Sequence, residues 1–355
     1  MITKWRGLGA AVLFVAAAVS VSAQNRSALA PPFETYLDLL RQQSGIPGMS
    51  AVILQDHQIV WERGFGYQNL ESRIPATPDT PYLVGDISQT LAAVLVLQCV
   101  EHRRFDLDDG AARYGAKIED GSTLRQVLSH AIRAEGADTF KYDPERYAQL
   151  TFAVEYCAPQ SYRKTVSHRL LQFLAMRDSV PGSDLVNSNV VPEEMWDPEI
   201  LERYRRVMER IAIPYKVDKQ RRATRAETLK PETISAAAGL VTTARDLANL
   251  DRALDDGLLL RPESLGAAWR NVPGKEGALL PTGLGWFVQT YEGQPVVWHF
   301  GMIPNAYSAL VIKLPVRKMT LILLANSDGL VAPYQLPAGD VTKSVFANLF
   351  LRLYT

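Results

Sequence analysis

Strand-forming sequence lies at both ends of this chain and helical sequence fills the middle, and that order restricts the folds open to it. Residues 49–54 and 58–63 are β-rich runs on either side of Gln55-Asp56-His57, the pattern of a hairpin. Near the other end, 285–291 and 296–299 flank Glu292-Gly293, and 306–314 and 319–325 flank Pro315-Val316-Arg317-Lys318. Between these ends, residues 87–102 read as a strongly apolar helix, with Leu91–Leu97 apolar on every side, so that helix belongs in an interior rather than on a surface. The spacing predicts further helices over 33–44, 124–130, 146–156, 161–174 and 243–255, and a last one over 341–353. The economical packing is one antiparallel sheet made from both ends, covered by the terminal helices, with the helical block inserted as a second lobe. The expected class is therefore α+β. An α/β lobe of about 33–82 and 275–355 would face a helical lobe of about 86–265, with a ligand cleft between them.

The first 23 residues read as something other than fold. Lys4 and Arg6 form a short basic start, 7–19 are almost wholly apolar, and Val21-Ser22-Ala23 is a small-residue cleavage site. That is the pattern of a signal peptide, and it predicts a secreted or periplasmic protein with a single domain over 24–355. The apolar run is too short for a comfortable membrane span. Lys+Arg and Asp+Glu both number 38, so no basic excess points to nucleic acid. A hydrophobic share of 47% argues against disorder. The basic run Lys219–Arg225 has acids nearby and reads as a solvated loop. Cys99 and Cys157 read as small apolar fillers, with a bridge open to them if their Cβ atoms approach about 4 Å. His57, His102, His130 and His168 are scattered without metal-ligand spacing, so neither a metal nor a cofactor is expected.

Several segments carry a resemblance. Tyr82-Leu83-Val84-Gly85 leads into the buried helix and then Phe105-Asp106-Leu107-Asp108-Asp109. Ser122–His130 follows, then Ala238-Gly239-Leu240-Val241-Thr242-Thr243-Ala244-Arg245-Asp246-Leu247 and Gly283-Leu284-Gly285-Trp286. His299-Phe300-Gly301 and Leu323-Leu324-Ala325-Asn326-Ser327 close the series. In this order the chain, over about 33–353, resembles the serine β-lactamase and penicillin-binding-protein superfamily, in its class C-like branch of secreted serine hydrolases. The resemblance implies a serine at a helix start, a lysine one turn later, a Tyr-x-Asn loop and a Lys- or His-x-Gly strand.

Carried over residue by residue, the serine position is Asp86 and the lysine position Gln89. The tyrosine is kept as Tyr142, the asparagine is replaced by Pro144, and the strand keeps His299 and Gly301 around Phe300. Backbone N–H groups at Asp86 and Met302 would match the oxyanion hole. Gln89 does not titrate near neutral pH and cannot act as the base. Asp86 attacking an acyl group would give a high-energy mixed anhydride. Asp86-Ile87-Ser88-Gln89 also has the form of a capping box, which would turn both replaced residues onto the helix's own amides. Ser161-Tyr162-Arg163-Lys164 is a literal Ser-x-x-Lys but reads as a helix cap, and Ser88 points away from the Asp86 face. These readings predict a catalytically degenerate homologue whose cleft binds a peptide, cell-wall or acyl ligand. The residues lining it would be Asp86, Gln89, Tyr142, Pro144, His299, Phe300, Gly301 and Met302. The rivals are a working hydrolase, using water activated by Asp86 or using Ser88, and a structural or partner-binding protein.

Overall fold

The computed structural model describes residues 31–134, 136–187, 197–227 and 229–355; the signal-peptide reading for 1–23 lies outside them. Helix α1 (31–43) precedes a hairpin of β1 (Gly48–Gln55) and β2 (Gln58–Asn69), followed by the short edge strand β3 (Ile74–Pro75). The hairpin turns over Asp56 and His57, both with positive φ, the mirror-image turn whose twist matches that of paired strands. Next come β4 (Tyr82–Leu83), α2 (Ser88–Glu101), α3 (Leu124–Leu128), a hairpin of β5 (Ala131–Ala134) and β6 (Ala137–Phe140), α4 (Pro144–Ala148), α5 (Leu150–Cys157) and α6 (Tyr162–Val166). The middle continues through β7 (Val180–Pro181), α7 (Asp184–Asn187), α8 (Pro198–Glu209), β8 (Tyr215–Val217), β9 (Ala223–Arg225), β10 (Leu240–Thr242), α9 (Ala244–Asp255) and α10 (Pro262–Ala268). The last third holds β11 (Phe287–Tyr291), β12 (Gln294–Ile303), β13 (Tyr307–Leu314), β14 (Met319–Ala325) and α11 (Val345–Tyr354).

Seven strands form one antiparallel sheet in the order β11-β12-β13-β14-β1-β2-β3. The expected joining of both chain ends occurs where Met49 pairs with Ala325 and Gln55 with Met319. Side chains alternate across β1 as the pleat requires. Met49, Ala51 and Ile53 enter a core with Phe33 and Leu37 of α1 and Phe346 and Phe350 of α11. Val52 and Leu54 enter the opposite core, shared with α2, α5 and α9. Leu91–Leu97 of α2 are all buried, as an all-apolar helix must be.

Several expectations are corrected. The predicted helix over 146–156 is two helices, α4 and α5, and the one over 161–174 passes from α6 into a π-helical stretch at Ser167–Gln172. The basic run Lys219–Arg225 is largely exposed, as a solvated segment should be, and its second half is strand β9, so it turns the β8–β9 hairpin, where Arg222 bonds back to Asp218. Cys99 and Cys157 are disulfide-bonded with their Cα atoms 6.2 Å apart, so they are not separate apolar fillers. They lie on α2 and α5, which pack side by side and bring the two thiols together. Among the described residues no helix is long and apolar enough to cross a membrane.

Candidate functional site

The site is built where α2 meets β12. A 3-10 turn, Gly85–Ile87, precedes α2 and lies against the strand. Two glycines allow this contact. A Cβ on Gly301 would sit 1.8 Å from the Val84 carbonyl oxygen, and Gly85 has φ +50° with its own Cβ position 2.9 Å from the Met302 nitrogen. The close approach sets Asp86, on the turn, beside the backbone of Met302 on β12.

Asp86 does not cap the helix. Helix α2 begins at Ser88 with Ile87 as its N-cap and no side-chain cap bond. The Met302 N–H donates to Asp86 Oδ2 at 3.2 Å. The Met302 amide, brought in by β12, takes the carboxylate in place of the local helix amide that the capping pattern favours. The carboxyl is also bonded by the Tyr142 hydroxyl and, at 3.4 Å, by Gln89 Nε2. Burial pushes its pKa up to about 6; the Tyr142 and Met302 hydrogen bonds oppose that rise, and Glu232 adds to it.

Gln89 and Tyr142 come together as the resemblance implies, and with them a residue the sequence reading left among scattered histidines. The Asp143 N–H donates to His130 Nδ1 at 3.2 Å, so His130 carries its proton on Nε2 and donates to Gln89 Oε1 at 2.8 Å. The Gln89 amide is thereby oriented: its Nε2 donates to the Tyr142 hydroxyl oxygen at 3.1 Å. The bonds run in one direction, from the Asp143 amide through His130 and Gln89 to Tyr142 and Asp86. Burial, helped by the nearby His299 and Arg146, depresses His130 to about 3, so the ring stays neutral. It lies 4.4 Å from the Tyr142 ring and stacks at 5.0 Å on Tyr147, whose hydroxyl donates to the Gln89 carbonyl. His130 itself sits at φ +50°, a left-handed conformation uncommon for a side-chain-bearing residue, just where α3 gives way to β5. Its only signal in the sequence was its place at the end of the Ser122–His130 segment.

Other candidates are placed differently. His299 is buried, but among the described residues no hydrogen bond joins it to Asp86, Gln89 or Tyr142. Its Nδ1 pairs with the Phe300 carbonyl at 2.7 Å, it lines a small apolar cavity behind α2 with Ile87, Thr90 and Trp286, and burial lowers its pKa to about 4. Phe300 is buried too, packed on Tyr142 at 5.2 Å and against Phe287 and Trp298, so it offers no surface to a ligand. Pro144 is the first residue of α4, behind the cap Asp143, and serves the helix start. Gly301 and Met302 act through backbone. Ser88 donates to the Gly85 carbonyl at 2.8 Å and is buried, held as a structural hydroxyl. Ser161 accepts from the Lys164 N–H as a helix cap. No grouping of three or more His, Cys, Asp or Glu fit to hold a metal occurs among the described residues.

Comparison with known proteins follows the same outline. The penicillin-binding protein homologue of Pyrococcus abyssi superposes with a TM-score of 0.72 at 20% identity, over 92% of this chain and 78% of that one. The D-amino acid amidase of Ochrobactrum anthropi SV3 superposes at 0.66 and 16% identity, over 90% and 98%. At such identities the likeness establishes the fold alone. Among curated relatives, the human serine beta-lactamase-like protein LACTB is 32% identical over 148 residues, and protein flp of Staphylococcus aureus is 20% identical over 181. The chain spans only 27% and 36% of the length of these two, and the matches cover 39% and 40% of this chain. The Beta-lactamase family model matches residues 33–350, nearly the whole of the described fold, and the chain belongs to that family.

Proposed function

We propose that this protein is a secreted or periplasmic member of the family that no longer carries out serine acyl transfer and keeps the cleft beside Asp86 as a binding site for peptide or acyl ligands. One observation carries the reading. Of the two backbone N–H donors at the oxyanion-hole positions, those of Asp86 and Met302, the Met302 N–H is already bonded to the Asp86 carboxylate. A substrate carbonyl oxygen would need those same donors, and it would meet a carboxylate there instead. The Gln89 amide adds neither a base nor a positive charge, and the neutral His130 behind it adds none. The test is intact-mass analysis of the purified protein after incubation with a penicillin and with an activated ester, alongside chromogenic turnover. The expected result is no adduct, and turnover no greater than that of Asp86→Asn. An acyl adduct on Asp86 would overturn the proposal.

A second reading is favoured by a different observation. A carboxyl pushed up to about 6 is near the value that suits a general base at neutral pH. In that reading Asp86 activates water. It requires an ester hydrolysis rate that rises through about pH 6 and disappears in Asp86→Asn while the fold is retained.

A further inference from the structure

Away from the site, Lys313 of β13 is buried beside α9. Its Nζ lies 2.9 and 3.0 Å from the two carboxylate oxygens of Asp251, 2.8 Å from Asp255 Oδ2 and 3.1 Å from Thr320 Oγ1. The lysine side chain is 5% exposed and the two acids 11% and 15%. Lys313 and Asp251 line the same cavity as His299, bounded here by Leu250, Leu254, Trp269 and Val311, and Nζ sits 5.5 Å from the centre of the Trp269 ring.

Two carboxylates over one ammonium leave a negative charge uncompensated in apolar surroundings, which is unfavourable. Burial and the neighbouring Asp251 raise the Asp255 carboxyl above its ordinary value; burial acts to lower the Lys313 ammonium, but the two carboxylates raise it, so the neutral amine arises only by passing its proton to one of them. Moving one proton from Nζ to Asp251 turns the ion pair into an amine facing a carboxylic acid, with no change in the number of protons held. Those two groups are already in hydrogen-bond contact and held by the fold, so only a rotation of the carboxyl plane separates them from attack and their effective concentration is high.

We propose that Lys313 and Asp251 condense into an intramolecular isopeptide bond, with Asp255 carrying the proton. The Nζ lone pair attacks Asp251 Cγ and forms the N–C bond. Asp255 takes a proton from the nitrogen and returns it to the Asp251 hydroxyl, whose C–O bond then breaks. One water leaves, Asp255 is again a carboxylate, and nothing is oxidised or reduced. The product replaces a buried pair of opposite charges with a neutral amide whose N–H still faces Asp255. It fastens α9 to the sheet.

The test is the intact mass of the purified protein, with its disulfide reduced, followed by peptide mapping. The expected mass is lower than the sequence mass of the isolated chain by one water, with the Lys313 and Asp251 peptides recovered as one branched species. Lys313→Met and Asp251→Ala should each restore the full mass, and Asp255→Asn should leave most of the protein uncoupled. A wild-type mass equal to the sequence mass overturns the proposal without any variant having to fold. So does a loss of water that maps elsewhere or persists in Lys313→Met.

Discussion

At the scale of the residue, Asp86 gives the protein a pH dependence whose sign can be worked out. Its carboxyl titrates near 6 when folded, against an ordinary value of 3.8. Between those values the folded protein holds a proton that the unfolded chain has released, so stability falls as pH rises through about 4 to 6 and stays lower above it. Asp86→Asn removes that titration. Relative to wild type, the variant should gain about 2–3 kcal/mol on going from pH 4 to pH 8. Urea unfolding at the two pH values measures this, and a constant difference would refute it. Asp246, also pushed up to about 6, is present in both proteins and cancels. Tyr142→Phe should move the same carboxyl further up, because it removes the hydroxyl that bonds to the anion; carboxyl NMR would detect the shift. That Asp86 and Gln89 stand where the resemblance implies a serine and a lysine was an expectation from the sequence, carried by the resemblance. The orientation of Asp86 was not legible there, because a capping pattern weighs amides within one turn, whereas the amide that holds this carboxylate belongs to Met302, 216 residues along the chain. His130 was passed over for the same reason: its partners, Gln89 and Asp143, lie 41 and 13 residues away.

At the scale of the element, what could be read depended on length. Strands β1, β12, β13 and β14 and helices α2 and α9 are long enough for their apolar pattern to declare them, and each lies within a few residues of its expected place. The pairs β5–β6 and β8–β9 are too short for a period to show, and tertiary contacts fix them. The disulfide was left open because bridging depends on how α2 and α5 pack. It joins α2, which carries Gln89, to α5, which follows the Tyr142 loop, across 58 residues of sequence. Closing a loop of that length is worth about 4 kcal/mol in the chain-entropy account. A Cys99→Ala, Cys157→Ala double variant should therefore unfold at markedly lower denaturant, by about that free energy. A loss below about 1 kcal/mol would mean that packing between the two helices already does the work assigned to the bridge.

At the scale of the molecule, the two ends of the chain and its middle are not separable units. Strand β1 lies between β14 and β2, so the sheet cannot be completed until the last third of the chain is present. The helical middle rests on that sheet: Val52, Leu54, Val297, Ile322 and Leu324 share one core with α2, α5 and α9. The reading of two lobes identified which segments group together, but hydrophobic period alone does not reveal that one face of the sheet is the floor of the helical part. Chains of this length often populate intermediates, and two lobes with separate cores would be expected to melt separately. A shared core predicts otherwise. Opening the helical part would expose the apolar face of β1, β12 and β14, and opening the sheet would strip the support from α2, so neither is stable without the other. Equilibrium unfolding should accordingly be one transition, with far-UV circular dichroism and tryptophan fluorescence giving coincident curves. Refolding should be slow, because the Met49–Ala325 pairing closes most of the chain into a loop before it contributes stability. Two resolved transitions, or a helical signal that survives loss of the sheet, would show that the lobes fold independently and that the geometry at Asp86 is set from one side only.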